Sequence, residues 1–172
     1  SKVFNKLSSV LNEFSQELSI ELKILNDIFS NQNSLEFKGF DASLSPIPHS
    51  EISIGNIYRK FGIYQFGNPL TLSITSLLTE SIKKAFIISK VKQAGFNGVM
   101  LSPLEDKSLA NAVISGNVNL DSLLLFSTVC GCGLDMVPVP GNTMADTLAC
   151  IIKDTNELSR RLSKPLGSRI LA

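Results

Sequence analysis

A chain of 172 residues, 44% hydrophobic and 18% charged, is long enough to bury one core and short for two, so one compact unit is expected. Sixteen Lys and Arg against fifteen Asp and Glu leave a formal charge of +1, which sets up no field to draw in nucleic acid, and two Tyr, no Trp and scattered Phe make no platform for stacking bases. No apolar run approaches the ~18–20 residues that span a bilayer, and the opening Ser1-Lys2-Val3-Phe4-Asn5-Lys6 lacks the continuous apolar stretch of a secretory signal.

Taken in chain order, Val3, Leu7, Val10 and Phe14 followed by Leu18, Leu22, Leu25 and Phe29 fall at helical spacing, which predicts one long helix or two short ones divided near Ser15. The polar run Asn31-Gln32-Asn33-Ser34 stops it. Leu35 to Phe40 alternates like a strand and runs through Asp41-Ala42-Ser43-Leu44-Ser45 into a loop marked by Pro46 and Pro48. Ser50 is placed to cap a short helix carrying Ile52, Ile57 and Phe61 and closed by Gly62. Asn68-Pro69 opens a further helix with Leu70, Ile74, Leu77, Leu78 and Ile82 as its apolar stripe and Lys83 and Lys84 at its C-terminal end.

Phe96 to Leu101 then reads as a buried strand leading to Ser102-Pro103-Leu104-Glu105-Asp106. Leu109, Ala112 and Val113, stopped by Gly116, mark a helix, and Leu120 to Val129 marks another that starts at Asn119 or Asp121. Leu134 to Val139 reads as a strand, Thr143 to Leu162 as a long helix, and Leu166 to Leu171 as a last strand. This alternation predicts an α/β fold with parallel neighbours and with loops gathered at the strand C-terminal ends, where such proteins place their sites. The unfinished last strand predicts exposed sheet edges and a need for another chain.

Several chemistries lack their residues. His49 is the single histidine and lies among prolines, a poor basis for a nucleophile–histidine pair. Cys130 and Cys132 form a C-x-C pair without the second pair that a structural zinc site needs. No glycine cluster matches a dinucleotide or phosphate loop. Three cysteines, two of them too close for a relaxed bridge, point to reduced thiols and a cytoplasmic chain.

The segment from Cys130 to Gly141 retains the most interest. Two glycines beside the thiols permit close backbone approach, either to a substrate or to neighbouring chain. Cys130 or Cys132 is a nucleophile or redox thiol in one reading and a small buried side chain at a helix end in the other. Asp135 opens an apolar strand, so its carboxylate must find donors or a metal; it binds a ligand or it caps the Gly-rich loop. Asp41, Glu105, Asp106 and Asp135 face a common mouth as hard oxygen ligands for magnesium or calcium, or else Glu105 and Asp106 serve to cap a helix. Lys164 and Arg169 pair with these acids or with an anionic substrate, or are ordinary surface cations.

The ordered motifs Phe40-Asp41-Ala42-Ser43-Leu44-Ser45-Pro46, Leu104-Glu105-Asp106, Val129-Cys130-Gly131-Cys132-Gly133-Leu134-Asp135-Met136-Val137-Pro138-Val139-Pro140-Gly141-Asn142-Thr143 and Lys164-Pro165-Leu166 with Arg169 resemble the uncharacterised family called domain of unknown function 711, over about residues 8 to 172. The resemblance implies half of a ten-stranded pyruvate formate-lyase-like α/β barrel, and, because family members are longer, the C-terminal half. Asn142 stands where the family has Asp in its Pro-Gly-Asp-Thr turn. No Arg-Val-x-Gly-Tyr-like loop is present, so glycyl-radical chemistry is not implied.

Two functions follow as expectations. The first is a protein that binds a small metabolite or a protein partner, the partner being the remainder of the barrel or another chain in an oligomer. The second is an enzyme on a small carbonyl or carboxylate metabolite. Cys130 and Asp135 are the candidate catalytic residues; Asp41, Ser43, Glu105, Asp106, Cys132, Thr143, Lys164 and Arg169 are the candidate ligand-binding residues. No metal or cofactor is assigned.

Overall fold

The computed structural model describes residues 2–30, 36–49 and 51–172, with side chains from residue 8 onward. Its elements are α1 (Lys2–Ser30), α2 (Ile54–Lys60), α3 (Thr71–Ser89), α4 (Lys107–Ile114), α5 (Leu120–Ser127), β1 (Gly133–Pro138), α6 (Ala145–Leu162) and β2 (Gly167–Leu171). Helices thus alternate with a small sheet in which β1 and β2 run parallel, an α/β arrangement. The polar run 31–34, Leu35 and the cap assigned to Ser50 lie outside the described residues.

α1 is continuous through Ser15. The Ser15 hydroxyl is fully buried and donates toward both the Leu11 carbonyl in its own turn at 2.8 Å and the Ser81 carbonyl of α3 at 2.9 Å, so of the two alternatives the single long helix is the one formed, and it gains a cross-link at Ser15. Small Ser side chains at 15 and 19 let α1 lie close on α3, and Leu22, Ile82, Ala85 and Phe86 close the seam as one apolar cluster. Each such buried Leu, Ile or Phe contributes about 1.5–3 kcal/mol.

α3 begins at Thr71, later than Asn68-Pro69. The Asn68 carbonyl accepts both the N–H and the hydroxyl of Thr71, at 3.1 and 2.7 Å, and Leu70 turns through a left-handed φ of 78°, so proline shapes the turn before the helix. The helix then runs on to Ser89, which leaves Lys83 and Lys84 in its interior with no basic residue in its last turn. Lys84 reaches Asn12 of α1 at 2.7 Å instead. α2 begins at Ile54, and Gly62 follows its end at φ +85°.

Among the described residues, the strands expected at 35–40 and 96–101 are represented by isolated parallel bridges, Phe40 with Gln93 and Leu44 with Val99. Regular pairing fails because Gly95 and Asn97 adopt left-handed φ of 73° and 49°, which turns the chain out of the pleat. Side chains take over the missing rungs: the Asn97 carbonyl oxygen accepts the Ala42 N–H at 2.9 Å, and the Asp41 carboxylate accepts Phe96 N–H and Asn97 N–H, both at 3.1 Å. The Gly131 N–H then donates to the Val99 carbonyl at 2.7 Å. Four extended stretches therefore lie side by side in chain order: 40–44, 93–99, the 131–138 stretch holding β1, and β2.

The main apolar core lies under this row and joins Tyr58, Phe66, Ile74, Leu78, Val99, Leu101, Leu109, Phe126, Cys130, Cys132, Leu134 and Val137. α6 joins it weakly: of its 18 residues Ile151 and Thr155 are buried, while Ile152 and Leu162 stay exposed. β2 pairs with β1 on one side, and most of its residues are exposed. Among the described residues, no helix is long and apolar enough to cross a membrane.

Candidate functional site

The site residues are positioned by an irregularity in the β1–β2 pair. Gly133 pairs with Gly167 and Leu134 with Ser168, but the next partners are Val137 with Ile170, so β1 places Asp135 and Met136 opposite Arg169 alone. This is a β-bulge, and Met136 takes a left-handed φ of 49° to make it. The extra residue sets the Asp135 carboxylate beside Arg169: Arg169 Nε donates to Asp135 Oδ1 at 2.5 Å, and Arg169 Nη2 donates to both Glu105 oxygens at 3.1 and 3.2 Å. Arg169 is half-exposed and sits on the edge strand, whereas the Asp135 side chain is 9% exposed. Asp135 Oδ2 is buried and has no hydrogen-bond partner.

The thiols stand on the adjoining loop, between the end of α5 and β1. Cys130 is 0% exposed and Cys132 4%. Gly133 N–H donates to Cys130 Sγ at 3.3 Å, and both sulfurs lie within 3.9 Å of the Gly133 carbonyl oxygen. A hydrogen bond from Cys132 pulls the Cys130 thiol down from 9.0 to about 6 against the upward push of burial, with help from Gly133 N–H and the charge of Lys164. Cys132 is pushed up in turn by that same bond, by burial and by the charges of Cys130 and Asp135.

Lys164, half-buried, donates from Nζ to the carbonyls of Ser127, at 2.8 Å, and of Cys130. The Ser127 carbonyl ends α5, where a cation meets the negative end of the helix dipole, and the Cys130 carbonyl lies in the loop just beyond it. Burial lowers the Lys164 pKa, while the charge on Cys130 works the other way. Lys164 is thus tied into the loop at the end of α5 and is no free surface cation.

The glycines of this loop approach neighbouring chain. A Cβ on Gly98 would stand 2.8 Å from the Gly131 Cα, and one on Gly133, at φ +100°, 2.7 Å from the Gly167 carbonyl oxygen. Between the two alternatives open for Gly131 and Gly133, close packing of backbone on backbone is what the geometry displays.

The other candidates are spent on structure. Asp106, 2% exposed, caps α4 by accepting Ser108 N–H at 2.9 Å and Leu109 N–H at 3.2 Å, while its second oxygen accepts the first N–H of α2, from Ile54, at 2.6 Å. Asp41 accepts the N–H and hydroxyl of Ser43 at 3.0 and 2.5 Å besides its two bonds to 96–97. Burial alone would raise the Asp41 pKa, but these bonds outweigh it and hold the carboxyl below 3.8. Thr143 closes a turn by donating to the Pro140 carbonyl at 2.6 Å. Among the described residues, no three His, Cys, Asp or Glu side chains gather as metal ligands, so Asp41, Glu105, Asp106 and Asp135 do not form the shared cation mouth.

Sequence reasoning missed Asn97, a buried polar residue whose place in the turn-rich Gly95-Phe96-Asn97-Gly98 run was its visible signal. It also missed Ser102, fully buried with its hydroxyl unpartnered at the end of the 93–101 stretch. A groove of about 200 Å³ lined by Arg59, Tyr64, Phe66, Ser108, Asn111 and Ser115 contains none of the candidate residues.

Comparison with known proteins adds relatives of the same uncharacterised kind. The chain is 27% identical to a UPF0210 protein of Thermoanaerobacter sp. (strain X514) over 98% of this chain and 37% of that protein. It is 32% identical to one from Pyrobaculum aerophilum over 83% of this chain and 32% of that protein, and 29% identical to one from Clostridium beijerinckii over 99% and 39%. The chain therefore spans less than two fifths of the length of these relatives. The family model described as Uncharacterised ACR (DUF711) matches residues 1–172 throughout, and the chain belongs to that family.

Proposed function

We propose that this chain is part of an α/β barrel that binds a small metabolite at the Asp135–Arg169 bulge, and that further polypeptide continues the sheet along the free edge of β2. The observation that carries the binding reading is Asp135 Oδ2, a buried carboxylate oxygen with no partner. Such an atom costs about 1–3 kcal/mol or more unless a donor reaches it, and native structures leave few of them. A hydroxyl, amine or amide of a small ligand meets that need. Arg169 beside it lies on the edge strand, so whatever pairs with β2 also shapes the site.

The serial order of the four stretches, with parallel pairing of the first to the second and of the third to the fourth, supports a singly wound sheet of the barrel kind, and the exposed β2 edge and lightly packed α6 support continuation by more chain. Turnover is not needed for this reading. Cys130, 0% exposed, offers no approach to a carbonyl substrate, which sets the enzyme alternative behind it.

Thermal unfolding of the purified chain against a panel of small amines, alcohols and carboxylates tests the site. A ligand at about 100 times its Kd stabilises by about 2.7 kcal/mol. The shift is expected with wild type and not with Asp135→Asn; equal shifts in both end the reading. For the edge, the isolated chain is expected to self-associate or bind an apolar dye, and a monomer that leaves the dye unbound contradicts it.

A further inference from the structure

We propose that Cys130 and Cys132 form a two-coordinate site for a soft monovalent cation, copper(I). The two sulfurs are buried and gathered about one carbonyl oxygen, that of Gly133, at 3.8 and 3.9 Å. The loop that holds them is fixed on both sides. Gly131, between the cysteines, is pressed against Gly98 and bonded to the Val99 carbonyl, and Gly133 pairs with Gly167.

The donor set selects the ion. Thiolates are soft ligands and favour copper(I), for which two suffice, whereas zinc asks for four. Among the described residues no third acidic, thiol or imidazole group completes a larger set. The nearest carboxylate in the sequence, that of Asp135, is already bonded to Arg169. Enclosure away from water also protects a copper(I) centre from oxidation.

Charge balances as well. Both thiols release their protons to solvent as two sulfur–copper bonds form, with no change of oxidation state. Two thiolates and one monovalent cation leave one negative charge, and the Lys164 ammonium, held on the carbonyls of Cys130 and Ser127, offsets it.

The test uses the whole chain, reduced and metal-free, titrated with copper(I) in competition with a chromophoric copper(I) chelator. One equivalent is expected to bind wild type and Cys150→Ser alike, with affinity falling on the order of 100-fold or more in Cys130→Ser and in Cys132→Ser, past the 10–100-fold typical of outer-shell changes. X-ray absorption of copper-loaded wild type, which needs no variant to fold, is expected to show two sulfur donors and nothing else bound. Nitrogen or oxygen ligation, three sulfurs, or binding that disappears with Cys150→Ser overturns the proposal. Asp135→Asn keeps the copper, which separates this site from the metabolite reading.

Discussion

Removing the Asp106 carboxylate is the sharpest test of whether that residue serves the fold or a ligand. In Asp106→Ala, α4 loses its N-cap bonds to Ser108 and Leu109, a change that costs about 1 kcal/mol. The Ile54 N–H loses its partner at 2.6 Å while remaining buried, which adds about 1–3 kcal/mol. The bond from Ile47 N–H, at 3.5 Å, is too long to add much. The sum is about 3 kcal/mol, and for a domain of this size about 2–4 °C per kcal/mol gives a fall in Tm of about 10 °C. Asp106→Asn keeps one acceptor and is expected to lose about half as much. Circular dichroism on heating and in urea measures both variants. A loss below about 1 kcal/mol for the alanine variant, above all with ligand binding abolished, would refute the structural role and return Asp106 to the site.

Further substitutions address separate joints. Gly55→Ala drives a Cβ to 2.2 Å from the Ser108 Cβ and is expected to part α2 from α4 at a cost of about 1–3 kcal/mol, read from the urea midpoint. Gly98→Ala, whose Cβ meets Gly131 Cα at 2.8 Å, carries a similar cost; unchanged stability would mean that the two stretches do not touch. The Asp41 carboxyl is held below 3.8, so its contribution is full above that pH and disappears as pH falls through the folded value; the acid limb of a stability–pH curve is expected to shrink in Asp41→Asn. Arg169→Met leaves a buried carboxylate unpaired and is expected to destabilise, with partial recovery in Asp135→Asn/Arg169→Met, and a double variant worse than the sum of its parts contradicts the pairing.

Where the sequence made the elements readable, one force acted locally. Apolar spacing marks α5 and narrows its start to Asn119 or Asp121, of which Asn119 is the cap, paired reciprocally with Ser122, and the run Leu134 to Val139 marks β1 within a residue. Reading failed where the decisive contact was remote or the backbone left its usual region. The alternation of 35–40 and the apolar run of 96–101 both suggest strands, yet left-handed turns at Gly95 and Asn97 convert ladder bonds into side-chain bonds between residues about 55 apart in the chain. One long helix and two short ones divided near Ser15 cannot be told apart in the sequence because the partner that decides, the Ser81 carbonyl, belongs to another helix.

The site shows the same division in a more useful form. Asp41, Glu105, Asp106 and Asp135 all lie near the ends of extended segments and are indistinguishable as residue types. A carboxylate is available to a ligand only so far as its oxygens are unspent. Asp106 uses both oxygens on helix N-termini, Asp41 uses both on the 96–97 turn and Ser43, and Glu105 gives both to Arg169. Asp135 differs because Met136, a residue with no turn-forming signature, adopts a left-handed φ and creates a bulge opposite Arg169, which engages one oxygen and leaves the other enclosed without a donor. Were Met136 kept and laid into a regular pleat, it would stand opposite Ile170 and Val137 opposite Leu171, which reverses the faces of the residues beyond Asp135, so Val137 would leave the core. The bulge therefore holds Val137 inside and Asp135 beside Arg169 at once, and packing and site geometry depend on the same extra residue.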